Sequence, residues 1–108
     1  MEKKIRRYDI AIKSLHDAVE RLSKHKEEMV ERFKVKKIGI FGSLARGEHG
    51  KRSDVDMLVE YRDLPNLLEL VRLERYLEGI LGKKVDLVEK RGLRKEIKRY
   101  MRDEIIYI

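Results

Sequence analysis

Two short apolar runs, residues 37–41 and 55–61, flank a polar stretch, 42–53, that carries three glycines. No other feature restricts the fold as strongly. The first run reads as a short buried strand stopped by Gly42. The second alternates apolar and polar residues, the period of a strand with one buried face. The stretch between them reads as a loop, or as a loop feeding a short helix. A strand–loop–strand unit cannot bury its apolar face alone, so the rest of the chain must supply further strands and a covering layer.

The remaining periodicities predict that layer. Ile5, Tyr8, Ile12, Leu15, Val19 and Leu22 recur at alternating spacings of three and four, a helical stripe. It is expected to break near residues 23–25 and to be followed by a second short helix reaching about residue 33. The stripe can pack on the chain's own sheet or serve a partner helix. Pro65 opens a helix with apolar positions Leu67, Leu70, Val71, Leu77 and Leu81, and Gly82 stands where a C-cap glycine belongs. Residues 85–88 read as a third strand, 93–101 as a helix, and 105–108 as a short edge strand. The expected fold class is α/β: a small mixed sheet of three to four strands with helices packed on it.

Composition narrows the setting. A chain of 108 residues has room for one domain with a small core, so a second substrate-binding domain would have to come from another polypeptide. With no cysteine, disulfides and thiolate zinc sites are excluded. No run approaches the roughly 18 apolar residues of a membrane span, and the charged N-terminus lacks a signal-peptide core. A soluble, cytoplasmic protein with no membrane partner is expected. Charged residues make up 44% of the chain, glutamine is absent and Asn66 is the single asparagine, a thermophile tendency. The net charge of +7 is concentrated: between Lys83 and Arg102 nine basic residues face three acidic ones, +6 in that stretch alone. Such a patch attracts polyanions, triphosphate or RNA. It is equally the solvated face of a helix. No aromatic platform accompanies it, so nucleic acid is not the favoured partner.

Asp54 and Asp56 lie two apart on the second strand, so both carboxylates point to one face while Val55, Met57 and Val59 point into the opposite layer. Paired carboxylates repel unless a cation neutralises them, and hard oxygen ligands suit magnesium shared with phosphate oxygens. Asp86, between Val85 and Leu87, adds a third carboxylate if its strand lies beside the second. It would then hold a second metal or take the proton of an attacking hydroxyl; the alternative is a surface ion pair with Lys83 or Lys84. Gly42 and Ser43 follow directly on a strand, where a sharp turn exposes backbone N–H groups and adds a hydroxyl for phosphate oxygens. Gly42 and Gly47 have the separation of a P-loop, but Glu48 stands where that motif needs lysine, so phosphate binding here calls for a metal. Arg46 either contacts a triphosphate or locks the loop by pairing with a carboxylate. His16, His25 and His49 have no metal-ligand spacing and are expected to be structural.

Gly42-Ser43, ten intervening residues, then Asp54-x-Asp56 resembles the signature of the polymerase-beta-like nucleotidyltransferase superfamily. The fuller string, GSLARGE followed by SDVDMLVE, is similar to its minimal branch, the small MntA-type antitoxins, and the resemblance spans nearly the whole chain. It implies a nucleotidyltransferase fold formed as one domain over 1–108, with a helical segment over 1–34 and a catalytic core over 37–108. It implies magnesium-dependent transfer of a nucleoside monophosphate from a triphosphate such as ATP. By position, Gly42 and Ser43 match the phosphate-binding pair, Asp54 and Asp56 the metal-binding catalytic aspartates, and Asp86 the third carboxylate. The minimal branch further implies a toxin partner of the HEPN ribonuclease class (HepT), silenced by AMP on a tyrosine. Two other expectations stand beside this one: transfer to a small molecule or RNA end, and a non-catalytic antitoxin that acts by contact alone.

Overall fold

Side-chain caps decide where two helices of this protein, the first and the longest, begin. The computed structural model describes residues 11–102 and 104–108. Helix α1 spans Leu15–Lys24, because the Ser14 hydroxyl accepts from the N–H of Asp17 (3.1 Å) while Asp17 accepts from the N–H of Lys13 (3.1 Å). The expected stripe is therefore shorter than its periodicity suggests. Ile12 is buried but precedes the helix, its N–H bonded to the carbonyl of Leu81 (2.9 Å). Ile5 and Tyr8 lie outside the described residues. The expected break falls at His25, whose ring Nδ1–H donates to the carbonyl of Arg21 (2.8 Å), and α2 runs over Lys26–Phe33.

Strand β1, Val35–Phe41, starts two residues earlier than its apolar run, because Val35 pairs with Tyr61 across an irregularity that absorbs Lys36. A single helical turn, α3, follows at Gly42–Ala45, and β2 spans Val55–Tyr61. Helix α4, Leu67–Leu81, is opened by Asn66 and not by Pro65. The Asn66 side chain accepts from the N–H of Glu69 (2.8 Å), and Glu69 accepts from the N–H of Asn66 (3.3 Å). Leu67 is consequently 75% exposed, and the buried stripe starts at Leu73. Gly82 closes the helix at φ 67° as expected. After β3, Val85–Glu89, a 3-10 turn at Lys90–Gly92 delays helix α5 to Lys95–Arg102. Glu89 stabilises that turn by accepting from the N–H of Arg91 (2.6 Å). Strand β4 is Ile106–Tyr107.

The four strands form one mixed sheet in the order β3-β2-β1-β4, as the α/β expectation required. β1 is antiparallel to both β2 and β4, while β2 and β3 are parallel and joined through α4. One face carries the main core: Ile38, Ile40, Val55, Met57, Val59 and Leu87 pack with Ala18, Leu22, Met29, Leu73, Leu77 and Ile80 from α1, α2 and α4. Each of the larger side chains contributes about 1.5–3 kcal/mol by leaving water, which holds the two layers together. The opposite face is thinner. Leu58 and Met101 are buried there but stand outside the main core. Gly39 lets the C-terminal segment lie flat on this face, since a Cβ would come within 2.8 Å of Ile105. Among the described residues no helix is long and apolar enough to cross a membrane.

Candidate active site

The strand register brings the aspartates together. Asp56 lies directly opposite Asp86 on the parallel neighbour β3, and opposite Phe41 on β1. The pairing of β2 with β3 is fixed at its start by the Val55 N–H, which donates to the carbonyl of Lys84 (2.9 Å). Val55 and Met57 point into the core, so Asp56 projects to the other face; Asp54 sits one residue before the strand, exposed, as is Asp86. Among the described residues none donates a hydrogen bond to these three carboxylates, and none forms an ion pair with them. The Asp56 carboxyl is pushed above its ordinary value of 3.8, first by burial and then by the like charges of Asp86 and Asp54; Arg46 opposes this and Glu104 adds to it.

Gly42 packs against this cluster. Its φ is +74°, and a Cβ there would lie 2.2 Å from Asp56 Oδ2. Only glycine fits both the turn and the approach. The turn is then tied by Arg46 N–H to Gly42 carbonyl (3.1 Å) and by Glu48 N–H to Ser43 carbonyl (2.8 Å). Ser43 is half-buried, and among the described residues its hydroxyl has no hydrogen-bond partner. Arg46 is engaged by carboxylates: its Nε donates to Glu48 (3.2 Å) and its Nη1 to Glu104 (2.5 Å).

Glu104 went unnoticed in the sequence. Its carboxylate also accepts from the Gly42 N–H (3.1 Å), and its side chain is only 15% exposed. Three chain regions far apart in sequence thus meet at the glycine turn. Nothing local to Glu104 signals this; its contact with Gly42 spans 62 residues. A second unanticipated contact pins the loop. Lys83 Nζ donates to His49 Nε2 (2.6 Å) and to the Gly50 carbonyl (2.9 Å). Lys83 is therefore committed to the loop and does not pair with Asp86. His49 is held below its ordinary value of 6.5, by burial and then by the Lys83 charge.

Chemically, the cluster offers hard anionic oxygens at one strand end, beside a glycine turn with a free hydroxyl and a guanidinium. Among the described residues no three carboxylate or imidazole side chains converge into a metal cage by themselves. Magnesium commonly takes only one or two protein carboxylates and completes its shell with phosphate oxygens and water. The donors suit that arrangement, and a cation would relieve the mutual repulsion now borne by Asp56.

Residues 22–108 match the nucleotidyltransferase domain family. The chain is 43% identical over 99 residues to the protein adenylyltransferase MntA of Thermococcus cleftensis, covering 92% of this chain and all of that protein. Among solved structures, a minimal nucleotidyltransferase superposes with a TM-score of 0.74 at 33% identity, covering 87% of this chain and 95% of the other. A complex of a tri-AMPylated HEPN toxin from Shewanella oneidensis with its MNT antitoxin contains a chain of the same fold: TM-score 0.63, 19% identity, 86% of this chain and 70% of that one. With the Gly-Ser turn, the paired aspartates and these relatives together, the chain belongs to the nucleotidyltransferase domain family, in its minimal, MntA-like branch.

Proposed function

We propose that this nucleotidyltransferase is a magnesium-dependent protein adenylyltransferase and an antitoxin: it moves AMP from ATP to a tyrosine of a HEPN-type (HepT) toxin. The observation that carries the reading is the register of β2 and β3, which sets Asp56 against Asp86 with Asp54 alongside and Gly42 packed on Asp56. The name of the Thermococcus cleftensis relative and the AMPylated toxin of the Shewanella oneidensis complex support the donor and the partner.

Each residue has a task in this reading. Asp54 and Asp56 would hold the magnesium. When bound, the metal supplies neutralisation of the phosphate charge. The Gly42 N–H and the Ser43 hydroxyl donate to the distal phosphate oxygens, and Arg46 adds a positive charge beside them. The Gly42 N–H is now given to Glu104, so a phosphate oxygen takes that seat by displacing a carboxylate. Asp86 accepts the proton of the tyrosine hydroxyl as its oxygen attacks the α-phosphorus. The bond from that phosphorus to the bridging oxygen breaks, and pyrophosphate leaves. No covalent intermediate on the protein is needed; positioning and charge supply the rate.

The test is direct. The purified chain, labelled ATP and magnesium are incubated with the HEPN protein encoded by an adjacent reading frame, and the partner is mapped by mass spectrometry. At least one AMP-sized addition on a tyrosine is expected, lost in Asp54→Ala and Asp56→Ala. A folded chain that transfers no label to that partner would sink the proposal. Protection of cells by the double alanine variant would instead identify an antitoxin that acts by contact alone.

A further inference from the structure

The basic residues between Lys83 and Arg102 have no task in the chemistry above. In the fold, helix α5 and the segment after it enclose a cavity of about 340 Å³ on the thinner face of the sheet. Leu58, Met101, Ile105 and Tyr107 give it apolar walls, and Lys95 and Arg99, both exposed, line it as well. Leu58 lies two residues beyond Asp56 on β2, so it shares that residue's face at a distance of about 7 Å along the strand. A third basic lining residue, Lys90, is already paired with Glu60 (3.1 Å). Lys95 and Arg99 have no ion-pair partner among the described residues.

We infer that this cavity is the acceptor subsite: it takes the aromatic side chain that receives the nucleotide, borne on an acidic polypeptide segment. This rests on the proposed function. The geometry supports it in two ways. In-line transfer needs the attacking hydroxyl on the side of the phosphorus opposite the departing pyrophosphate. Gly42, which would hold the distal phosphates, lies beyond the strand end past Asp56, whereas Leu58 and the cavity lie inward from Asp56 along the sheet. The aspartate therefore stands between the two. The second support is charge. An apolar pocket bordered by two unpaired cations complements an aromatic ring with carboxylates next to it, while an uncharged purine base would leave both cations unused.

The experiment compares the native chain with a Lys95→Glu/Arg99→Glu variant. Both positions are exposed, and a thermal melt checks that the variant folds. Two synthetic peptides share a central tyrosine, one flanked by glutamates and the other by lysines. The native chain is expected to adenylylate the glutamate peptide with a kcat/KM about tenfold higher, and the variant to lose or invert that preference with its KM for ATP unchanged. An unchanged preference overturns the inference. So does a raised KM for ATP alone, which would give the cavity to the nucleotide, or a loss of RNA affinity alone. A native chain that labels the HEPN partner but neither peptide also overturns it, because the cavity would then not read the segment around the acceptor. If the native chain labels neither peptide nor partner, the proposed function itself has failed.

Discussion

Replacing Gly42 with alanine tests the contact on which the site is built, and Gly47 supplies the control. Both glycines have nearly the same backbone, φ +74° and +77°. An L-residue held in that left-handed region costs about 1–2 kcal/mol, partly offset by about 0.4–1 kcal/mol from stiffening the unfolded chain. At Gly47 nothing lies within 4 Å of a new Cβ, so Gly47→Ala should cost about 1 kcal/mol or less. At Gly42 the new Cβ would stand 2.2 Å from Asp56 Oδ2 and 3.0 Å from its Cγ, where ordinary contact begins at 3.4 Å. The carboxylate or the turn must yield by roughly 1 Å, an overpacking penalty of about 1–3 kcal/mol. Gly42→Ala should thus lose about 2–4 kcal/mol in all, or roughly 10–30 °C in Tm for a domain of this size. A shift of about 1 Å at the reacting groups should also cut nucleotidyl transfer about a hundredfold. Thermal and urea unfolding of both variants, with transfer to the HEPN partner in parallel, read these quantities. If the two alanines cost the same stability and the same activity, the close approach of Gly42 to Asp56 is not what the glycine is there for.

Asp56→Asn should stabilise the metal-free protein at neutral pH while abolishing transfer. Its raised carboxyl pKa means that the stability it contributes is present below 3.8 and is lost as pH rises through the folded value, so the gap between variant and native urea midpoints should close on acidification. Magnesium with ATP should raise the Tm of the native chain and not that of the variant. His49 is depressed, so the native chain should lose stability as pH falls below 6.5 towards the folded value, and His49→Gln should flatten that slope in urea melts from pH 8 to 5. Glu104→Gln keeps an acceptor for the Gly42 N–H but removes the charge competing with phosphate, so KM for ATP should fall about fivefold in initial-rate assays. An unchanged or raised KM would mean that nucleotide does not take that seat. Lys34 ends α2 at φ 60° without being glycine; Lys34→Gly should raise stability by up to about 1 kcal/mol in urea unfolding, and a loss would show that the lysine side chain matters more than its backbone.

What the sequence made legible was what depends on neighbours along the chain. Period-2 alternation placed Asp56 on the strand face opposite the core, although Asp54, expected on the same strand, precedes it by one residue; the glycine after an apolar run placed the turn at Gly42. Both needed only two to five residues of context. The helix starts were legible in principle as well, but Ser14 and Asn66 had to be weighed as caps, and the apolar stripe and Pro65 drew the boundaries outward in each case. Capping won because an N-terminal turn has N–H groups with no partner in the helix, and a side-chain oxygen three residues back satisfies one at little cost. The position of Asp86 was conditional on strand order, which periodicity does not reveal; the parallel register of β2 and β3 resolved it.

Glu104 shows where local pattern has no purchase. Within its own segment it is the second of two acidic residues before an apolar tail, and its partners, Gly42 and Arg46, are about sixty positions away. Three things had to hold together for it to arrive there. β4 had to add to the free edge of β1, Gly39 had to lack a side chain beneath Ile105, and α5 had to turn the chain back through the Met101 carbonyl, which accepts from the N–H groups of Glu104 and Ile105 (3.0 and 2.8 Å). The same segment supplies Met101, Ile105 and Tyr107 to the cavity over Leu58. The carboxylate that occupies the Gly42 N–H and the walls proposed to hold the acceptor are therefore parts of one short piece of chain. Anything that moves Glu104 away from the turn acts on that wall too, so the Glu104→Gln variant should be assayed with both peptides as well as with ATP.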